Sequence, residues 1–414
     1  MTSECTVRSH VMGLLTLIGL LGLGSGCQLL GTMQVETVAS TAHRPGQVSV
    51  YVSVSDREED TSGLGPENFK LFEDDNELNA SEVQLRLLDR DPVAEHHALV
   101  LVDLGGPIEK PGARRLLAKQ LTPFVERLRA QQSVSVYGFD GQSRLYPFGD
   151  FEKLQPGENT SANVDAELGR LAEHQQKDSS RNLNGAVVTA LDQVSANLRR
   201  TTKPIRIGSV VVITRGPDLA GRVSADELAS RLKSAEHRVY ALAVAIDTDA
   251  ALDLADDLGK NGYEVANRFE TMESPLSEIA GRVEADYNRY YLVSYCSPAR
   301  AGQRTLLLQV TRNDSGGDRQ MGETEIEFSS DGFGSDCDSS SVPRFSGGLA
   351  ASGSAPGAAS GSGAQPGAAG QPGDGAGADA AGDAPAEDGS DEAPDDDAED
   401  ETLVPPPEGS GYAE

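Results

Sequence analysis

The chain is poor in several things at once, and each shortage removes a class of function. It has no tryptophan, five methionines, six histidines and four cysteines in 414 residues, and aromatics make up 5% of it. His43, His174 and His237 are scattered at no ligand spacing, so no histidine-based metal signature is present. Gly-x-Ser-x-Gly, His-Glu-x-x-His and a Gly-Lys-Ser/Thr phosphate loop are missing, which leaves no motif for acyl transfer, metalloproteolysis or nucleotide hydrolysis. Positive charge is scarce too. Lys and Arg number 35 against 65 Asp and Glu, a net charge of −30 whose sign argues against nucleic acid as a partner. The apolar stretch "VMGLLTLIGLLGL" at 11–23 falls short of the roughly 20 residues that span a bilayer. Preceded by Arg8 and His10, it reads as the core of a secretory signal.

That stretch runs into "GSGC", which ends in Cys27 and resembles the lipobox of bacterial lipoproteins, although Gly24 stands where Leu is usual. The resemblance implies cleavage after residue 26 and an acylated Cys27 carrying palmitate-type chains in a membrane. Gln28, not Asp, follows, which points by analogy to the outer membrane of a Gram-negative envelope. Two or more acyl chains make such an anchor stable. An ordinary secretory signal cut near the same point is the alternative. Export also accounts for the other cysteines: Cys296 and Cys337 are left as one pair, expected as a disulfide in an oxidising compartment.

The far end is Gly, Ala, Ser, Pro and acid, and residues 345–414 hold 15 Asp and Glu with no Lys or Arg. Such a segment cannot build a core and is expected to be disordered. A solubilising bristle is the simplest role for it; calcium collection or a cationic partner is the alternative.

Between signal and tail the pattern changes twice. "QVSVYVSVSD" places Val48, Val50, Val52 and Val54 on one face, the period of a half-buried strand, and two more strand-like segments follow. From "HHALVLVDLGG" onward, continuous apolar runs alternate with amphipathic helical segments such as "NLNGAVVTALDQVSANL", which predicts a doubly wound, mostly parallel α/β sheet. After Tyr290 strands return, as in "QRTLLLQVTRN". The predicted organisation is therefore a signal at 1–26, an anchor linker at 27–34, a β-rich segment at 35–95, the α/β layer at 96–288, a second β-rich segment at 289–340 and the tail at 341–414. The two β-rich segments are expected to join into one β-sandwich flanking the α/β layer.

Within 96–285 the phrases "ALVLVDLGG", "VSVYGFDGQSRLYPF", "RNLNGAVVTAL", "VVVITRGPD" and "VYALAVA" resemble a von Willebrand factor A-type domain. That family holds a divalent cation at the carboxyl edge of its sheet, through Asp-x-Ser-x-Ser after the first strand, a Thr before the Asn-Leu helix and an Asp after the fourth strand. Mg²⁺ needs six oxygens in octahedral array, and those side chains supply several. Here only Asp103 matches. Gly105 and Pro107 occupy the serine positions, Arg181 the threonine position and Arg215 the aspartate position. A +2 ion about 5 Å from one guanidinium would be repelled by roughly 6–7 kcal/mol at an effective dielectric near 20. Asp140 and Asp218 lie off the family's pattern.

The resulting expectation is an interaction crest of Asp103, Gly105, Arg181 and Arg215, with Arg215 facing Asp103 across the sheet edge as a bidentate guanidinium in place of a cation. No catalytic residue, metal ligand or cofactor is assigned. The reading is a non-enzymatic envelope lipoprotein that binds another protein or the envelope matrix, with no nucleic acid and no small-molecule substrate. A Mg²⁺- or Ca²⁺-dependent adhesion module with substituted ligands, or an enzyme with an unrecognised site, are the alternatives, and a crest retained without function is a further one.

Overall fold

The computed structural model describes residues 33–345 apart from 57–60, 107–111, 156–160, 246, 314, 315 and 318. The signal stretch, Cys27, Pro107 and the acidic tail lie outside the described residues.

Ten consecutive residues with almost no charge, Ala94–Asp103, form β6, the middle of a six-stranded sheet. Its alternation divides the core in two. Ala98, Val100 and Val102 face one layer of helices, whereas Leu99 and Leu101 face the other. Burial on both faces is what makes the run uniformly apolar. The neighbours are β7 (Ser133–Phe139) and β9 (Ile205–Thr214), flanked by β8 (Tyr146–Phe151) on one side and by β10 (Arg238–Val244) and β11 (Tyr263–Ala266) on the other. The order is β11-β10-β9-β6-β7-β8, parallel throughout except for antiparallel β8.

Helices α1 (Ala113–Arg129), α2 (Ser161–Glu173) and α6 (Glu273–Asn288) cover one face, and α3 (Leu183–Leu198), α4 (Ala225–Lys233) and α5 (Thr248–Leu258) the other. Local chemistry sets several of the starts: Ser224 Oγ accepts from the Glu227 amide, and Asp247 accepts from the Ala250 amide. Helix α2 has no counterpart in the sequence reading, although Val164, Leu168 and Leu171 bury at helical spacing.

The remaining strands form a sandwich. One sheet is β1 (Met33–His43), β2 (Gln47–Asp56), β12 (Tyr290–Cys296) and β5 (Arg86–Leu88), in that order. The other is β14 (Arg319–Ser329), β13 (Gln303–Asn313), β3 (Phe69–Glu73) and β4 (Asn76–Glu77). N- and C-terminal strands thus share both sheets, and the α/β layer is inserted between β5 and β12. Cys296 and Cys337 are joined as a disulfide that closes 41 residues.

One strand departs from expectation. β2 is buried along eight successive residues rather than on one face. Val48, Val50, Val52 and Val54 fill the sandwich, while Tyr51 packs with Val93, Ala94 and Ile205 at the foot of the α/β layer. Period-2 polarity hid this because the second face is lined by Ser49, Tyr51 and Ser53, small or amphipathic residues whose partners are tertiary.

The chain order reverses between β6 and β9: β7 lies beyond β6 on one side, β10 beyond β9 on the other. In open α/β sheets the crevice at the carboxyl ends of two such strands is where ligands are held. The sandwich meets the opposite, amino ends, where Tyr51 packs with Ala94 and Ile205.

Candidate functional site

β6 ends in Asp103 and β9 in Thr214, followed by Arg215, so register alone brings these groups to the switch point. Asp103 is 3% exposed and its carboxylate is crowded with donors. Oδ1 accepts the Gly105 amide at 2.9 Å. Oδ2 accepts Arg181 Nε at 2.6 Å and the Arg215 amide at 2.8 Å, and the Thr214 hydroxyl lies 3.3 Å away.

The guanidinium on Asp103 is therefore that of Arg181, at the foot of α3, and not that of Arg215. Arg215 contributes its backbone amide. Its side chain turns to donate to the Gly105 carbonyl and lies over the Phe269 ring, 6.0 Å from the centroid. The expected face-to-face Asp103–Arg215 fork is corrected on this point. The physical reason is direction: a residue just past a strand end can offer its amide along the strand while its side chain points elsewhere.

Arg181 is itself 6% exposed. Its Nη1 donates to the Pro217 carbonyl at 3.2 Å, and its own carbonyl accepts the Leu219 and Ala220 amides at 2.8 and 3.0 Å. The guanidinium passes between two glycines. A Cβ on Gly106, at φ +68°, would stand 2.7 Å from Nη2, and one on Gly216 would stand 2.9 Å from Nη1. Gly105 is just as tight: a Cβ there would meet the Ser180 carbonyl at 2.5 Å. Backbone thus fills the volume where a hydroxyl-bearing side chain at 105 would sit.

The other carboxylates nearby are also committed. Asp140 holds the Gln142 and Lys177 amides, each at 2.8 Å, and is fully buried. Asp218 accepts the Asn184 amide at 3.1 Å in the first turn of α3 and the Gly221 amide at 2.7 Å. Among the described residues, no group of three His, Cys, Asp or Glu side chains converges as a metal cage. The A-type cation does not fit this donor set: the Asp103 carboxylate already carries the Arg181 guanidinium and two backbone amides, and Gly105 offers no side-chain oxygen.

Sequence reading missed Arg114. From the first turn of α1 it donates to the Leu104 carbonyl at 3.1 Å, to Gln176 Oε1 at 2.9 Å and to the His174 carbonyl. Burial, and then the charge of Arg215, hold its guanidinium below the usual arginine value. Only the start of α1 beside the crest reveals this role. A basic residue in a helical sequence carries no such signal.

No family model matches the chain, and no curated protein matches it. Solved structures do. The chain is similar to proximal thread matrix protein 1 from the mussel byssus, at 12% identity and a TM-score of 0.33 over 50% of this chain and 47% of that one. It is similar to a von Willebrand factor type A protein from Catenulispora acidiphila, at 11% identity and 0.36 over 72% and 74%. A third likeness is to the manganese-loaded TRAP protein of Plasmodium vivax, at 14% identity and 0.34 over 60% and 97%. The chain spans about half the length of the mussel protein (47%). At these identities and scores the matches add nothing about ligand; the doubly wound, A-like reading of the layer stands on its own strand order.

His96 and His97, at the opposite end of β6, are both buried and take no part in the crest. His97 Nε2 is 2.7 Å from Ser135 Oγ.

Proposed function

We propose that the protein is a non-enzymatic, lipid-anchored envelope protein whose A-type layer binds another protein, or the envelope matrix, without a divalent cation. The observation that carries the metal-independent part is the buried Arg181–Asp103 pair, 2.6 Å long, with side chains 7% and 1% exposed. It satisfies the carboxylate from inside the molecule, so a fixed organic charge does the neutralising that a cation would otherwise do. Commitment of Asp103, Asp140 and Asp218 to backbone donors supports the absence of acid–base chemistry at this edge. Anchoring rests on the lipobox-like "GSGC" and Cys27, and the outer-membrane assignment on Gln28. The charge of −30 supports a partner other than nucleic acid.

A cation titration tests the central claim. Mg²⁺, Mn²⁺ and Ca²⁺ at about 100 times a micromolar-range Kd would stabilise a binding fold by about 2.7 kcal/mol. The expected result is no change in Tm with any of the three, and partner capture from envelope extract that is equal with and without chelator. A rise of several degrees, or chelator-sensitive capture, selects the metal-dependent alternative. Loss of palmitate incorporation in Cys27→Ser checks the anchor.

A further inference from the structure

The joint between the sandwich and the α/β layer is built around one imidazole. His96, 7% exposed, sits two residues into β6 and faces the sandwich. Tyr51 of β2 bonds its Nε2 at 3.0 Å. The rings of Tyr287, on α6, and Tyr290, on β12, stand edge-on to it at centroid distances of 4.8 and 5.2 Å. Tyr51 also stacks on Tyr290 at 5.8 Å. Four elements therefore meet on His96, two from each layer, and the seam is incompletely filled: a cleft of about 450 Å³ opens beside it, lined in part by Leu88, Arg90, Tyr290 and Leu292.

We propose that this seam is an acid-released hinge, closed around a neutral His96 and opened when the ring takes up a proton. The hydrogen bond sets the closed form. Burial pushes the Tyr51 hydroxyl far above the usual tyrosine range, so it keeps its proton and can donate to an unprotonated Nε2, which is the tautomer the proposed closed form takes. A proton on Nε2 forces that hydroxyl to turn round and accept instead of donate, while His96 is still only 7% exposed.

The surrounding charges offer no relief. On the turn before β6, Arg90 lies 3.9 Å over the Tyr287 ring and donates to the Tyr290 carbonyl at 2.6 Å. Lys153 follows β8, Lys203 precedes β9, and Arg289 ends α6. Each of the three is cationic. The acids in reach are already engaged: Asp91 with Lys153, Glu95 with Lys203 at 2.7 Å, and Asp286 with Arg289 at 3.2 Å. Asp89 accepts the Asp91 amide at 3.0 Å. Burial, then the charges of Arg90, Lys153, Lys203 and Arg289, hold the ring well below its usual value.

An opened seam returns His96 to water, where it protonates near pH 6.5. The opening equilibrium then grows by up to tenfold for each pH unit below that. Opening is read by amide exchange over 47–56 and 290–296 in the full chain, as the ratio of wild type to His96→Gln at each pH from 7.5 to 5. The expected ratio rises as pH falls, with a larger radius of gyration for wild type alone. Equal acid responses in the two proteins, or none in wild type, overturn the hinge. Where His96→Gln fails to fold, Tyr51→Phe decides: it should open the seam more at pH 7.5 and level off at a higher pH than wild type. An unchanged profile in that variant also overturns the proposal.

Discussion

Replacing Arg181 with Ala would leave Asp103 buried with no counter-charge. The carboxylate side chain is 1% exposed, so water cannot substitute for the lost guanidinium. Breaking one side of a buried pair costs about 3–5 kcal/mol. Here the Gly105 and Arg215 amides remain on the two oxygens at 2.9 and 2.8 Å, which places the expected loss near the lower end, about 3 kcal/mol. For a folded unit of this size, each kcal/mol moves Tm by about 2–4 °C, so a fall of roughly 6–12 °C should appear in calorimetry. Urea denaturation should give the same loss in midpoint with an unchanged slope. The pair as a whole is worth less than this, because forming it required dehydrating both groups. Asp103→Leu combined with Arg181→Met should therefore cost less than Arg181→Ala alone. A single variant that loses under about 1 kcal/mol, or a double variant that loses more than the single one, would refute the idea that Arg181 neutralises the crest.

Three further perturbations test other parts of the fold. Gly105→Ser would force a Cβ to 2.5 Å from the Ser180 carbonyl, so it should destabilise by about 1–3 kcal/mol and restore no cation response, checked by denaturation with and without Mg²⁺. Cys337→Ser opens a 41-residue loop, a loss of about 4 kcal/mol in the chain-entropy model. It should also free the segment whose Ser339 and Ser341 bond Gln84 and Gln47, seen as faster exchange in β2. Burial lowers both His97 and His237, so the native chain refuses protons that the unfolded chain accepts near pH 6.5. Stability should be full above that pH and fall below it by up to about 1.4 kcal/mol per unit for each histidine, with His237→Asn removing part of the slope in urea titrations from pH 7.5 to 5.

Strand and helix alternation and the pairing of Cys296 with Cys337 are legible in the sequence because each follows from a short-range pattern or a forced choice, whereas the joining of the outer β segments matches the expectation without any short-range pattern to carry it. Val210, Val211, Val212 and Ile213 can only be an interior strand, and with Cys27 assigned to lipid and Cys5 to the signal, two thiols have one pairing. The set 103, 105, 181 and 215 is legible only through the resemblance to an A-type domain, whose ligand positions map onto those residues. Which arginine meets Asp103 was not. Positions 181 and 215 are equivalent to a reader of spacing, and only the turn of the backbone after β9 sends one side chain away and the other inward, between Gly106 and Gly216. The burial of the second face of β2 and the setting of His96 were hidden for the same reason. Local pattern reports how polar a face is. What covers that face depends on where an inserted layer of nearly two hundred residues comes to rest, and that is decided by packing between segments far apart in the chain.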